Sequence, residues 1–227
     1  MKMLKNKDKL WLITLPQIYL FIFLFLQIIA MLFYSGGSYF NPENSTYSLT
    51  RNFLSDLGRY KAFSNEHNFL SSQLFNMSLI MAGSVFIMFY HKLSIIFVSY
   101  KYNLAKIGSI FGILGGISLI MVGLTPSDLY FSLHVISAKW IFRFFLLTAL
   151  TYSYLICFSK ILNYKYALGY IIFAISILLY ILISELGPSP KTSEFSLTIQ
   201  VVSQKIILII MILSVYWQTK GIQKILL

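Results

Sequence analysis

Charge is scarce in this chain, and acid is scarcer still. Only 11% of its 227 residues are charged, where a water-soluble domain carries about a quarter. The composition therefore argues against a soluble fold. Lys and Arg number 18 against 7 Asp and Glu, a formal net charge of +11. In a soluble protein that excess would raise nucleic-acid binding, but here the positions of the charges give another reason for it. One cysteine, Cys157, excludes an internal disulfide framework and a cysteine-based metal site. The three histidines, His67, His91 and His134, form no short ligand pair. Zinc would need carboxylates from distant positions, so neither a metal nor a cofactor is expected. Also missing are a soluble domain at either end, an established catalytic motif, and any convincing similarity between the first and second halves. The last of these argues against an inverted-repeat transporter.

Apolar sequence is abundant: 58% of residues are hydrophobic, and mean hydropathy is +0.76. A membrane span needs about 20 mainly apolar residues. Six segments qualify, at about 10–34, 69–90, 105–124, 131–157, 166–185 and 197–217. Lipid offers the backbone no hydrogen-bond partners, so they are read as helices. The expectation is an all-α bundle of six transmembrane helices forming one membrane domain over 1–227. The first segment is too long for a signal-peptide core and lacks a small-x-small cleavage site, so it reads as a retained anchor.

Lysines set the orientation. With six spans, the termini and the loops near 91–104 and 158–165 share one side. That side carries Lys2, Lys5, Lys7, Lys9, Lys92, Lys101, Lys160, Lys165, Lys220 and Lys224, with Lys106 at its edge. The other carries only Arg51, Arg59, Lys61 and Lys191, and it holds or borders Glu43, Asp56, Glu66, Asp128, Glu185 and Glu194. The basic side, with both termini, is expected to be cytoplasmic, in the cell membrane of a prokaryote. The positive charge is then topology, not a nucleic-acid footprint. Trp11 and Trp217 fall at the inner interface, as an aromatic belt would place them.

The one long loop, about 35–68, opens with the turn-rich SGGSYFNPENSTY, in which Asn44 heads a glycosylation acceptor pattern. It then turns into SLTRNFLSDLGRY. Leu49, Phe53 and Leu57 recur at helical spacing, with Asn52, Asp56 and Arg59 on the opposite face. This predicts a short amphipathic helix, capped by Ser48 or Thr50 and ended by Gly58, lying on the bilayer or closing a pocket. Gly108, Gly112 and Gly116 in the third span repeat a small-xxx-small pattern and are assigned to helix packing. The fifth span, nearly free of polar side chains, reads as a lipid-facing wall.

Three spans carry polar groups at comparable depth. The fourth has His134, Lys139 and Arg143, the sixth has Gln200, Ser203, Gln204 and Lys205, and the second has Ser72, Gln73 and Asn76. Insertion scales put a central Lys or Arg at about 2.5–3.5 kcal/mol, so Lys139, Arg143 and Lys205 together cost on the order of 8–10 kcal/mol if unrelieved. No acid lies clearly inside a span. Something negative should therefore reach inward from the outer side: one of the boundary carboxylates Asp56, Asp128, Glu185 or Glu66, a lipid phosphate, or both. Lys139 and Lys205 can instead snorkel outward. Arg143 is deeper and is expected to pair with Asp56 or Asp128. His134 can cap the start of the fourth span, Asp128 can serve as a helix N-cap, and Asn76 and Gln204 can act as interhelical glue.

NFLSDLG, the Asn/Ser-containing second span and GLTPSDLYFSLHVISA together resemble the domain-of-unknown-function 998 family of membrane proteins. More distantly, LSDLG followed by a histidine-headed span resembles the DRAM-type family, which includes proteins of GPI-lipid remodelling. The resemblance implies six helices, a Ser-Asp-x-Gly motif in the first non-cytoplasmic loop (Ser55, Asp56, Gly58) and a histidine at the outer end of the fourth span (His134). Where eukaryotic members carry a proline–glutamate element, this chain has SNEHN at 64–68.

Three functions compete. In the first, a lipid head-group site performs chemistry: Asp56 and His134 form an acid–base pair, Ser55 is a nucleophile, and Lys139 and Lys205 hold an anion. Asn52, Arg59, Asn76, Arg143 and Gln204 complete its ligand set. In the second, the same pocket binds or transports an anionic lipid or small anion without catalysis. In the third, the polar groups pair internally and the chain is a structural or interaction subunit. The partner expected of the first two is a membrane lipid with an anionic head group.

Overall fold

The computed structural model describes residues 6–226. Lys2 and Lys5, and the side chain of Lys7, lie outside what it describes. Six helices are long and apolar enough to cross a membrane. They are α1 (Leu10–Leu32), which opens in a π-helical turn, α2 (Phe69–Leu93), α3 (Tyr102–Leu124), α4 (Phe131–Ser159), α5 (Ala167–Leu186) and α6 (Glu194–Leu226). The chain is an integral, multi-pass membrane protein. No strand occurs among the described residues; two isolated bridges, Ser38–Asn41 and Lys61–His67, pin loop turns.

Helix ends differ modestly from the sequence expectation. The first span stops at Leu32, because the chain must turn at Gly36 and Gly37, both at positive φ. The sixth extends from Glu194 to Leu226, well beyond 197–217, because polar residues at both ends continue the helix. A hydropathy window detects the apolar middle of a helix and misses solvated turns.

Each helix packs on its neighbours in sequence, and α1 closes against α6, so the six form a ring. Outward faces are apolar, as lipid requires: Phe21, Phe25, Ile172, Ile175 and Leu213 are all exposed. The expected α5 wall is one face only, since Tyr170, Phe173, Ala174 and Ile177 are buried. Small residues bring α3 against α2 and α4. Gly116 meets Gly83, Gly112 faces the Tyr90 ring, and Gly108 faces Thr151 and Tyr152. Buried hydroxyls there are bonded within the protein, as Ser109 is to the Tyr90 carbonyl (2.6 Å) and to the Tyr152 hydroxyl (2.6 Å).

At the terminal end of the ring, Lys92 pairs with Asp8 (3.0 Å) and the Trp217 indole donates to the Lys165 carbonyl (3.0 Å). The long loop caps the opposite end. The expected amphipathic helix is present only as a 3-10 helix, Leu54–Gly58, with residues 49–51 in turns before it. Neither Ser48 nor Thr50 caps it. Phe53 stands at the cap position, and Asp56 reaches back to the Phe53 N–H (2.8 Å). Its two faces are not divided between lipid and water: Leu54, Leu57 and Asp56 are all buried, so the segment plugs the ring.

Candidate functional site

The plug is held mainly by side-chain amides. Asn52, fully buried, donates to the Gly37 carbonyl (2.9 Å) and accepts from the Ser48 N–H (3.0 Å). Asn68, also fully buried, donates to the carbonyls of Leu57 (2.9 Å) and Arg59 (3.1 Å) and accepts from the Ser35 N–H (3.2 Å). Asn76 of α2 donates to the Gly58 carbonyl (3.1 Å), and Gln204 of α6 accepts from the Leu54 N–H (2.8 Å). Lys205 donates to the Asn52 carbonyl (2.6 Å), with its ammonium over the Tyr47 ring. A loop of irregular backbone at this depth must have its carbonyls and N–H groups satisfied by the protein.

Beneath and beside the plug lie two cavities that share part of their walls. The outer one, about 400 Å³, lies between the loop, α4, α5 and the start of α6. The inner one, about 110 Å³, is the centre of the ring. Every helix contributes an apolar wall to it: Phe23, Phe75, Leu119, Phe145, Phe173 and Ile207. Ser55, His134, Ala138 and Phe142 border both cavities and form their junction.

Four cations line the outer cavity, Arg51, Arg59, Lys139 and Lys191, with two carboxylates, Asp56 and Glu185. Arg51 is paired with Glu194 (3.1 Å) and Glu185 with Arg143 (2.5 Å). Arg59 stacks on Phe63, its Nε donates to the Lys61 carbonyl (3.0 Å), and its charge acts on Asp56. Among the described residues, no carboxylate lies within ion-pair distance of Lys139 or Lys191. Burial pushes the Asp56 carboxyl up from the ordinary 3.8 to about 6, against the opposing pull of Arg59, Asn52, the Phe53 N–H and Lys205.

His134 is 5% exposed, and its Nδ1 lies 2.7 Å from the Thr125 carbonyl at the end of α3. A carbonyl oxygen only accepts, so Nδ1 carries the proton and Nε2 is left as a free acceptor. The Ser55 hydroxyl has no hydrogen-bond partner among the described residues. In the inner chamber, Gln27 donates to Ser78 (2.7 Å), which leaves its buried Oε1 without a partner.

The geometry sorts the expected site residues. Ser55, Asp56, Arg59, His134 and Lys139 meet at the outer cavity, and Gln204 faces the inner one. Asn52, Asn76 and Lys205 line neither cavity; each donates a hydrogen bond to a loop carbonyl, and the Asn76 Oδ1 is left buried without a partner among the described residues. Lys205 does not snorkel, since a loop carbonyl lies within its reach. Arg143 pairs with Glu185, not with Asp56 or Asp128, because α5 packs beside it. Asp128 is no N-cap: it bridges the N–H groups of Tyr60 (2.9 Å) and Lys61 (2.8 Å). His134 caps the end of α3, not the start of α4. No hydrogen bond joins Asp56 to His134; the imidazole is oriented by a backbone carbonyl.

Glu185, expected as a boundary counter-ion, enters the site as the partner of Arg143. Arg51 and Lys191 enter it although sequence reasoning had used them only to assign sides. The usable signal was their rarity: of the four basic residues on that side, Arg51, Arg59 and Lys191 line the cavity. Comparison with protein-family models, curated proteins and solved structures finds no match.

Proposed function

We propose that the protein binds an anionic amphiphile, a membrane lipid with a phosphate-bearing head group, at the outer cavity. The head group sits between Lys139 and Lys191, and apolar substance extends past the junction toward the ring centre. The single observation that carries this reading is a pair of lysines without a carboxylate partner among the described residues, Lys191 lying over the Tyr39 and Phe131 rings, on an apolar-walled cavity that shares four wall residues with an apolar chamber. Exposed cations alone attract any anion weakly. Lys139 and Lys191 are themselves exposed; what distinguishes this site is the apolar surface beside them, which focuses their field and selects amphiphiles. The cavity volume is that of a small-ligand site, about 300–1,000 Å³ in typical cases. The lysine distribution puts this end on the non-cytoplasmic side, with both termini cytoplasmic.

Native mass spectrometry of the purified protein tests it. The wild type should retain an anionic phospholipid. Lys139→Gln combined with Lys191→Gln should lower the retained fraction about tenfold while the helical circular dichroism is unchanged. Equal retention in both proteins, or retention of zwitterionic lipid alone, would sink the proposal.

A further inference from the structure

The polar groups at the junction of the two cavities have a chemistry that head-group binding leaves unused. The Ser55 hydroxyl is without an intramolecular partner, whereas the hydroxyls of Ser71, Ser78 and Thr148 are bonded to backbone carbonyls. The His134 ring is fixed through Nδ1, which leaves Nε2 as a base at the shared wall of the two cavities. Both residues border the cationic basin and the apolar chamber alike. An amphiphile with its phosphate at Lys139 and Lys191 and a chain pointing inward would lay its ester linkage across this junction.

From this placement we infer that Ser55 and His134 form a nucleophile–base pair that transfers an acyl group from an ester-linked anionic phospholipid; this rests on the head-group reading above. The Ser55 oxygen attacks the ester carbonyl carbon while its proton passes to His134 Nε2. The carbonyl electron pair moves onto oxygen. On collapse, the bond to the glycerol oxygen breaks, and that oxygen takes the proton from the imidazolium and leaves as a lysophospholipid hydroxyl. Water, or another alcohol, then attacks the Ser55 ester carbonyl, giving its proton to Nε2; the bond to Ser55 Oγ breaks, Oγ takes that proton back from the imidazolium, and the acyl group departs on the attacking oxygen. Gln204 is suited to the oxyanion: its Oε1 is held by the Leu54 N–H, so its amide N–H groups remain available next to Ser55. Ser55 and His134 line the same two cavities without a hydrogen bond between them, a contact that in activated nucleophiles often tightens only on substrate binding, and a third group orients the base. Here that third group is the Thr125 carbonyl, not a carboxylate.

The test uses the full-length protein in vesicles of mixed phosphatidylcholine and phosphatidylglycerol carrying labelled acyl chains. The readouts are released fatty acid, the mass of the Ser55 peptide, and bound lipid by native mass spectrometry. Wild type should release fatty acid and, with an alkyl fluorophosphonate, gain an adduct on Ser55. Ser55→Ala should abolish both. His134→Asn can keep a donor toward the Thr125 carbonyl but removes the base, and it should slow release at least about a hundredfold with lipid retention unchanged. Retained lipid with neither release nor adduct overturns acyl transfer and leaves head-group binding standing. Release that persists at the wild-type rate in Lys139→Gln with Lys191→Gln overturns the head-group reading and leaves the nucleophile. Release that survives in His134→Asn overturns the assignment of the base.

Discussion

Asp56 illustrates how much a single side chain can carry in a loop. Its carboxylate closes the 3-10 turn through the Phe53 N–H, yet burial holds its titration near pH 6. An unfolded aspartate titrates near pH 3.9. Between those two values the folded protein keeps a proton that the unfolded chain has lost. Stability therefore falls as pH rises through about 4 to 6, then levels off. On the proposed reading, ionisation also adds a negative charge to a cavity that would recruit anions. Retention of an anionic lipid should accordingly be stronger at pH 5 than at pH 7.5. Asp56→Asn should hold it at the low-pH level throughout; a pH series of bound lipid, read for both proteins, checks the sign. Asn68 acts at the same scale and purely structurally. Asn68→Ala leaves the Leu57 and Arg59 carbonyls without this donor, and buried unpaired groups cost about 1–3 kcal/mol each. The apparent melting temperature should drop by several degrees, as differential scanning fluorimetry would show. An unchanged value would mean that the loop is held by its other amides.

Between elements, the contact of α3 with α2 depends on the absence of side chains. A methyl group built on Gly112 overlaps the Tyr90 ring, which is itself packed against Phe86, Phe89, Phe145 and Tyr152. Overpacking of this kind costs about 1–3 kcal/mol. Gly112→Leu should therefore lower thermal stability more than Gly115→Ala, whose added methyl meets only the edge of the Phe145 ring. Paired melting curves decide this, and equal losses would count against helix–helix closeness as the constraint. The junction between loop and helices follows a different rule. There the sealing groups are amides, since the segment being sealed has backbone to satisfy.

On the scale of the whole molecule, the ring has a wet end and a greasy middle, with Leu54–Gly58 as the stopper between them. The sidedness expected from the lysine distribution has a direct assay. In a Cys157→Ser background, Lys191→Cys should react with a membrane-impermeant maleimide added to intact cells, and Lys224→Cys should react only after permeabilisation. The reverse pattern would invert the protein and put the cavity in the cytoplasm.

Span number, helical class and the general depth of the polar groups were determined by the sequence alone, because hydrocarbon imposes one backbone solution and charges in it are costly enough to notice. His134 and the LSDLG segment were legible for the same reason: polar residues among apolar ones. Which cation meets which partner was decided only in three dimensions. Arg143 took Glu185, Lys205 took a loop carbonyl, and Lys139 and Lys191 were left unmatched, since pairing depends on which helices are neighbours around the ring. The proton on His134 Nδ1 was equally out of reach of any pattern, because its partner is a main-chain oxygen, which every residue possesses and no sequence marks.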